Sequence, residues 1–335
     1  MASHLKKSVF FAAFLAATAL LVAPGVHAQE VLKLRLSVES TPGAATQRML
    51  ASFRDFLKGE LGDKVEIEFF DSGTLGDEIV HMEQVRTGQL DVIPIGSDAA
   101  GLDPKWLVFD IPFLFKDRVA VAKVFDGDIG RQLDASFQKT VGLKVLGFGE
   151  IGFRHITNNV RPIKVPADLK GLKLRTPGSP GRVLAFEMLG ANPITMNIGE
   201  VYLALQQGVV DGQENPFGNI NKWKWYEVQK YISLSRHVYT PITFVMNLKK
   251  YKSLTSEQRT AVDRAALRAE GASRQYGTDN DAQLLGQIKA LSKGKVAFND
   301  IDSVAFQKAA EPIAKEISKL VGDEDFVNAV LKAIQ

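Results

Sequence analysis

From Leu32 to Gly96 the hydrophobic residues change period repeatedly, which excludes all-helical and all-strand architectures. Leu32, Leu34, Leu36 and Val38 alternate with Lys33, Arg35 and Ser37, the two-residue period of a strand. Ala45, Met49, Phe53 and Leu57 then recur at helical spacing until Gly62, which predicts a helix over 45–61. Val65, Ile67 and Phe69 alternate again. Residues 77–87 read as a helix stopped by Gly88, and Asp91 to Gly96 as a third strand. Parallel strands need long crossovers, so this β-α-β-α-β order implies a mostly parallel sheet with helices on its faces.

The middle of the chain continues the style. Val141 to Phe148 and Phe153 to Thr157 read as strands, 182–189 as a helix, 193–196 as extended, and 201–207 as a helix up to Gly208. Thr255 with Gln258 makes a capping box, and helical spacing then continues to about Leu291, with Gly271 and Gly277 as candidate bends. Helices over 303–321 and 324–334 close the chain. At 335 residues about two domains are expected. No repeat, low-complexity tract or Pro/Ser linker divides them, so two lobes joined by crossing strands and a long helix are the expected organisation.

Residues 1–28 read as a secretory leader. Lys6 and Lys7 give the basic start, Val9 to Val22 the apolar stretch, and Val26-His27-Ala28 the small-residue cleavage site, with cutting after Ala28. The apolar stretch is short and Pro24-Gly25 follows it, which argues against an anchor. Past the leader no apolar run is long enough to span a membrane, so an exported periplasmic protein is expected. Lys and Arg total 41 against 38 acids, too balanced for a nucleic-acid binder. The absence of cysteine removes thiolate nucleophiles, cysteine-bound metals and disulfides.

Gly147-Phe-Gly149-Glu-Ile-Gly152 matches a dinucleotide-binding pattern, with Asp168 downstream. That site needs a helix to begin at once, and the following residues are extended and then broken by Pro162. A tight strand crossing between lobes fits better. His81, His155 and His237 lack partners at metal-ligand spacing, apart from the poor spacings of Glu78 and Glu83 around His81, and read as structural. No GxSxG elbow or HExxH helix is present. Arg175 ends the short strand Leu172-Lys-Leu-Arg175, beside a Pro-Gly loop, where α/β folds place ligands. Arg154 lies just past the glycine-rich crossing. Arginine can grip a carboxylate through two parallel hydrogen bonds, so the residues by themselves point to an α/β protein that binds an anion.

The order of segments from Arg154 to His237 is more specific. It comprises Arg154-His-Ile-Thr-Asn158, Arg161 to Pro177, Gly190-Ala-Asn-Pro193, Glu200 to Gly208, Asp211-Gly-Gln-Glu-Asn-Pro216, Tyr226 to Tyr231, and His237. Together with Ser72 to Asp77 and Gly88 to Asp91, it closely resembles the DctP-type solute receptors of tripartite ATP-independent periplasmic (TRAP) transporters. The resemblance covers nearly all the chain after the leader. It implies an α/β, two-lobed periplasmic binding protein fold with crossing strands and a long helix spanning both lobes. One lobe is expected from 29–151 plus about 239–278, the other from 152–238 plus about 279–335.

By the same resemblance the protein is a receptor that closes on a small organic acid and passes it to membrane permease subunits. It is expected to be a monomer, with no cofactor, metal or nucleic acid. Arg175 matches the arginine that pairs with the substrate carboxylate, Arg154 a second pocket arginine, and Asn215 the amide that orients the carboxylate. Glu39, at the end of the first strand, suits a hydroxyl or amine better than a second carboxylate. Ser97 and Asp98 occupy the loop where sialic-acid-binding members carry Glu and, three residues on, Arg. Here Ser97 and Ala100 stand instead, which argues against sialic acid. Ile198 replaces an aromatic ring near the ligand. Phe217, with Trp223 and Trp225, is a candidate for the apolar end of the cleft or for core. A sensory receptor with the same binding lobe, or an enzyme acting on such an acid, are the alternatives.

Overall fold

The computed structural model describes residues 31–335; the expected leader and its cleavage site lie outside them. The first elements are β1 (Leu32–Ser37), α1 (Ala45–Leu61), β2 (Val65–Phe70), α2 (Glu78–Thr87) and β3 (Val92–Ile95), as the alternating periods require. Two helices not read from the period follow, α3 (Arg118–Phe125) and α4 (Asp128–Thr140), and then β4 (Leu143–Phe153). Next come β5 (His155–Asn158), β6 (Lys173–Thr176), α5 (Pro180–Met188), β7 (Asn192–Thr195), α6 (Val201–Gln207), β8 (Gly212–Asn215), α7 (Phe217–Lys222) and β9 (Tyr231–Ser233). The chain ends with β10 (Tyr239–Asn247), α8 (Leu248–Ser253), α9 (Ser256–Leu291), β11 (Ala297–Asn299), α10 (Ser303–Val321) and α11 (Glu324–Ala333).

The strands form two sheets, ordered β2-β1-β3-β10-β4 and β11-β9-β5-β8-β6-β7. In the first sheet β1 pairs parallel with β2 and β3, as the βαβ pattern implies. The sheet is not mostly parallel, however. β10 runs antiparallel to both β3 and β4, because it returns from the second sheet instead of being wound through a helix. The outward crossing is short: β4 ends at Phe153, β5 starts at His155 in the other sheet, and only Arg154 lies between.

The third connection is α9, a helix of 36 residues capped by the Thr255–Gln258 box and about 54 Å long. Its first half buries Ala261, Val262, Ala265, Ala266 and Ala269 among β1 and α1 residues such as Leu34, Leu36 and Phe53. Its last turns bury Leu284 and Ile288 beside Val201 and Trp225 of the other lobe. One rigid element therefore supplies apolar surface to both cores.

The glycines of the GxGxxG segment are explained by that helix. They lie within β4, no helix begins there, and no phosphate cradle forms. A Cβ on Gly149 would strike Met49 and Ser273, and one on Gly147 the carboxylate of Glu270, so glycine lets β4 sit close under α1 and α9. Gly277 has the same purpose, and α9 continues through it unbroken. A Cβ at Gly277 would strike Glu150, which Arg118 holds through Nε at 3.0 Å and Nη2 at 2.5 Å. Arg118 Nη2 also donates to Gly277 O at 3.1 Å and to Asp281 at 2.6 Å, fastening α9 to β4 and α3.

The C-terminal helices depart from the expected grouping of 279–335 with the second lobe. Ile313, Ile317 and Val321 of α10, with Phe326, Val327 and Val330 of α11, share a cluster with Val124 of α3 and Leu133 and Phe137 of α4. Phe306, at the start of α10, packs instead with Leu174 and Phe186 in the second lobe. We therefore propose to count α11 and the later turns of α10 with the first lobe.

Two alanine substitutions in α9 separate helix propensity from packing. Gly271→Ala meets nothing within 4 Å and should stabilise by about 0.5–1 kcal/mol. Gly277→Ala should destabilise by about 1–3 kcal/mol, because Arg118 prevents Glu150 from yielding. Urea unfolding of both variants checks this, and equal shifts in the same direction would contradict it.

Candidate ligand cleft

Functional side chains collect where strands of both sheets end, the position at which open α/β sheets bind ligands. From the first sheet, β1 leads to Glu39 and Ser40, α2 opens with Glu78, and β3 leads to Gly96, Ser97 and Asp98. From the second, β6 carries Arg175, the segment after β7 carries Ile198, and β8 carries Asn215. Together with Arg154 these residues line an inner recess of about 60 Å³. An outer chamber of about 280 Å³ shares Glu39, Glu78, Asp98, Arg175 and Ile198 with it. The structure thus brings Arg175, Arg154, Asn215, Glu39, Ser97, Asp98 and Ile198 to one place. Phe217 is not among the lining residues: its ring stacks on His155 at 4.0 Å, in a core with Ile220 and Trp225.

Arg154 and Arg175 differ in what they hold. Arg154 is buried at the crossing and grips Glu214 through Nε and Nη2, the latter at 2.8 Å. Arg182 of α5 reaches the same carboxylate with Nη1 at 3.0 and 3.1 Å, and Asp110 with Nη2 at 2.8 Å. His237 Nε2 lies 3.1 Å from Glu214, and its Nδ1 lies 2.7 Å from Ser235 Oγ. Burial alone would raise the Glu214 carboxyl, but the two guanidiniums and His237 hold it well below the usual carboxylate range. Burial also keeps His237 below its ordinary range, hence neutral at pH 7. This hub saturates Arg154 with an internal partner.

Arg175 has no such partner. It is 5% exposed, and donates through Nε at 3.0 Å and Nη2 at 2.6 Å to the carbonyl of Met196. Nη1 makes no hydrogen bond among the described residues. Burial, reinforced by the nearby Arg154 charge, pushes Arg175 down to about 10, still a cation at pH 7. Behind it Asn215 donates to Gln213 at 2.7 Å and accepts from Asn219 at 2.8 Å, while Gln213 donates to Thr157 at 3.0 Å. This chain of amides fixes the orientation of Asn215 within the recess wall.

The opposite wall is acidic. Glu39 Oε2 accepts from the Glu78 backbone N–H at 3.0 Å, and Glu78 Oε1 from that of Gly96 at 2.9 Å. Burial, opposed by the Glu78 hydrogen bond and aided by Asp98, lifts Glu39 to about 6. Glu78 rises well above its ordinary range through burial and then the Asp98 and Glu39 charges. At the mouth, Asn197 Nδ2 donates to Asp77 Oδ2 at 2.6 Å, joining the segment after β7 to the start of α2.

Sequence reading missed several of these residues. In the sequence Glu78 stands out only as a neighbour of His81, whose ring instead lies 3.0 Å from Ser37 Oγ. Glu214 sat in the recognised Asp211 to Pro216 segment without a role, and Asp110 and Arg182 carried no local signal. Among the described residues no group of His, Cys, Asp or Glu is arranged to hold a metal ion, and no helix is long and apolar enough to cross a membrane.

A model of the bacterial extracellular solute-binding proteins of family 7, DctP, matches residues 37–320. The chain is 35% identical to the 2,3-diketo-L-gulonate-binding periplasmic protein of Escherichia coli (strain K12), over 90% of this chain and 91% of that one. It is similar to a TRAP periplasmic solute-binding protein from Polaromonas sp. JS666 bound to D-erythronate, with a TM-score of 0.83, 31% identity, and coverage of 90% and 98%. Another from Sulfurospirillum deleyianum DSM 6946, with bound succinate, gives a TM-score of 0.85, 29% identity, and coverage of 91% and 100%.

The hub can be tested without any ligand. Glu214→Gln leaves two buried arginines undercompensated and should cost about 3–5 kcal/mol of stability at pH 7. Glu214 has a lowered folded-state pKa, so its contribution is present above its ordinary value of 4.5 and is lost as pH falls below it. Melting temperature followed from pH 7 to pH 3 should therefore show the variant's deficit shrinking at the acid end. A constant deficit would contradict the assignment.

Proposed function

The chain belongs to family 7 of the bacterial extracellular solute-binding proteins, and we propose that its ligand is a small hydroxylated carboxylate. Like its relatives, it is a receptor of the TRAP type, a family of binding proteins and not of enzymes. The observation that carries the ligand reading is Arg175, buried, cationic and facing the cleft with one nitrogen unpartnered. A ligand carboxylate in the inner recess accepts from Arg175 Nη1 and from Asn215, with Arg154 held behind by Glu214. Water is excluded there, so the pair acts at a lower effective dielectric than in solvent.

The rest of the ligand extends into the outer chamber, past Glu39, Glu78 and Asp98. Carboxyl oxygens there suit hydroxyl groups and oppose a second carboxylate, since like charges at close range select against the wrong ligand. This favours acids such as D-erythronate or 2,3-diketo-L-gulonate, ligands named for two relatives, over succinate, named for the third. Ligand favours the closed form to the extent that it binds that form better, and the Asn197–Asp77 bond across the mouth belongs to that form. In our reading the leader is removed after Ala28, and the mature monomer delivers the acid to the membrane subunits of its transporter.

A thermal-shift screen with D-erythronate, 2,3-diketo-L-gulonate, succinate and neutral sugars tests this. A ligand at about 1,000 times its Kd adds about 4 kcal/mol, a shift of several degrees, expected for the hydroxylated acids. Arg175→Ala should weaken that binding by about 3–5 kcal/mol, and Arg175→Lys strongly as well, because an ammonium cannot reproduce the guanidinium fork. A response confined to neutral sugars, or one undiminished in Arg175→Ala, would overturn the reading.

A further inference from the structure

The wall facing Arg175 holds more acid than one guanidinium balances. Glu39 follows β1, Glu78 starts α2 and Asp98 lies in the turn after β3, and each lines both the recess and the chamber. None of the three forms an ion pair with a lysine or arginine among the described residues, whereas Glu150, Asp110 and Glu214 do. Glu39 accepts the Glu78 backbone N–H and Glu78 that of Gly96, the Glu78 and Asp98 carboxyls interact directly, and Asp98 Oδ1 is buried without a well-formed hydrogen bond. Arg175 faces them, nine-tenths buried and lacking a carboxylate partner of its own.

The surroundings offer no further compensation. Arg154 and Arg182 are matched by Glu214 and Asp110, with His237 held neutral beside them. At the cleft itself the further charged groups are acids: Asp77 caps α2 at the mouth, and Glu200 lines the outer chamber. The cations of the neighbouring elements are engaged elsewhere, Lys33 with Glu66, Arg35 with Glu68, Arg86 with Glu83 and Arg48 with the Gly43 carbonyl, and burial holds His81 below its ordinary range. With all three carboxyls ionised, an entering anion would meet a net negative wall, and only proton uptake or a cationic group on the ligand removes that conflict.

We propose that Glu39, Glu78 and Asp98 form a proton site, and that the receptor takes up a proton from solution together with its carboxylate ligand. The proposal rests on the carboxylate reading above. The balance is simple: one carboxylate oxygen of the cluster accepts a solvent proton, no other bond changes, and the added positive charge offsets the incoming negative one. The resulting O–H donates to a neighbouring carboxylate or to a ligand hydroxyl, so the wall can both donate and accept. Burial already raises the acids of this cluster, and the ligand's charge raises them further. Uptake therefore falls in the pH range above about 6, where affinity should drop by up to about tenfold per pH unit.

Two measurements on the purified exported protein decide the matter. The first is carboxyl ¹³C NMR of the ligand-free protein through a pH titration, with resonances assigned by their loss in Glu39→Gln, Glu78→Gln and Asp98→Asn. At least one of the three should titrate at about pH 6 or above; ordinary carboxylate midpoints for all three would overturn the proposal. The second is calorimetry with D-erythronate from pH 6 to pH 8, in buffers of different ionisation enthalpy. Buffer-dependent heat with the sign of proton uptake, Kd rising with pH, and a flatter slope in Glu39→Gln are expected. Binding without proton exchange, or with release, would overturn the proposal while leaving the receptor reading intact. If D-erythronate does not bind, the choice of ligand fails, and the NMR titration alone decides the proton site.

Discussion

Where the chain passes from one sheet to the other it places Arg154, and that guanidinium is fixed by Glu214, which also binds Arg182 and His237. A buried carboxylate in such a position is tolerable only because two cations and an imidazole surround it, and the arginines only because it and Asp110 neutralise them. Each member is costly without the others. The hub sets the relation of β5, β8, α5 and the 104–110 turn to one another, and thereby the position of Asn215, the next residue of β8. It also cancels its own charge locally, which leaves Arg175 as the cation that governs the cleft.

Much of the scaffold was legible because it depends on burial along a single direction. The α1 bounds, the Gly88 and Gly208 stops, the Thr255 capping box and the long helix follow from hydrophobic period and capping chemistry, which act over a few neighbouring residues. The crossing between sheets was legible for the opposite reason, since a proline follows the glycine pattern where a nucleotide site needs a helix.

What stayed hidden depends on partners distant in sequence. β8 is Gly212-Gln-Glu-Asn215, fully buried and wholly polar, so no period marks it as a strand. Thr157, Arg154 and Asn219 make its burial tolerable by taking up its polar atoms. The antiparallel seating of β10 between β3 and β4 was likewise invisible, because fully buried strands do not alternate. In the candidate site, resemblance pointed to Arg175, Arg154, Asn215, Glu39, Ser97, Asp98 and Ile198, which the structure gathers around one recess. It did not reveal that Arg154 is occupied internally, or that Glu78 completes an acidic wall. Phe217 was read as a candidate for cleft or core, and His155 stacking explains why it faces the core.

The bond from Arg175 to the Met196 carbonyl ties two events together in time. The next residue, Asn197, spans the mouth to Asp77, so one short backbone segment is held at one end by the cleft-lining arginine and at the other by the opposite lobe. Parting the mouth pulls on the segment against which the guanidinium is braced. On the proposed carboxylate reading, the grip on a ligand and the closure of the door slacken in one step, and release resembles a catch springing free more than a gradual leak.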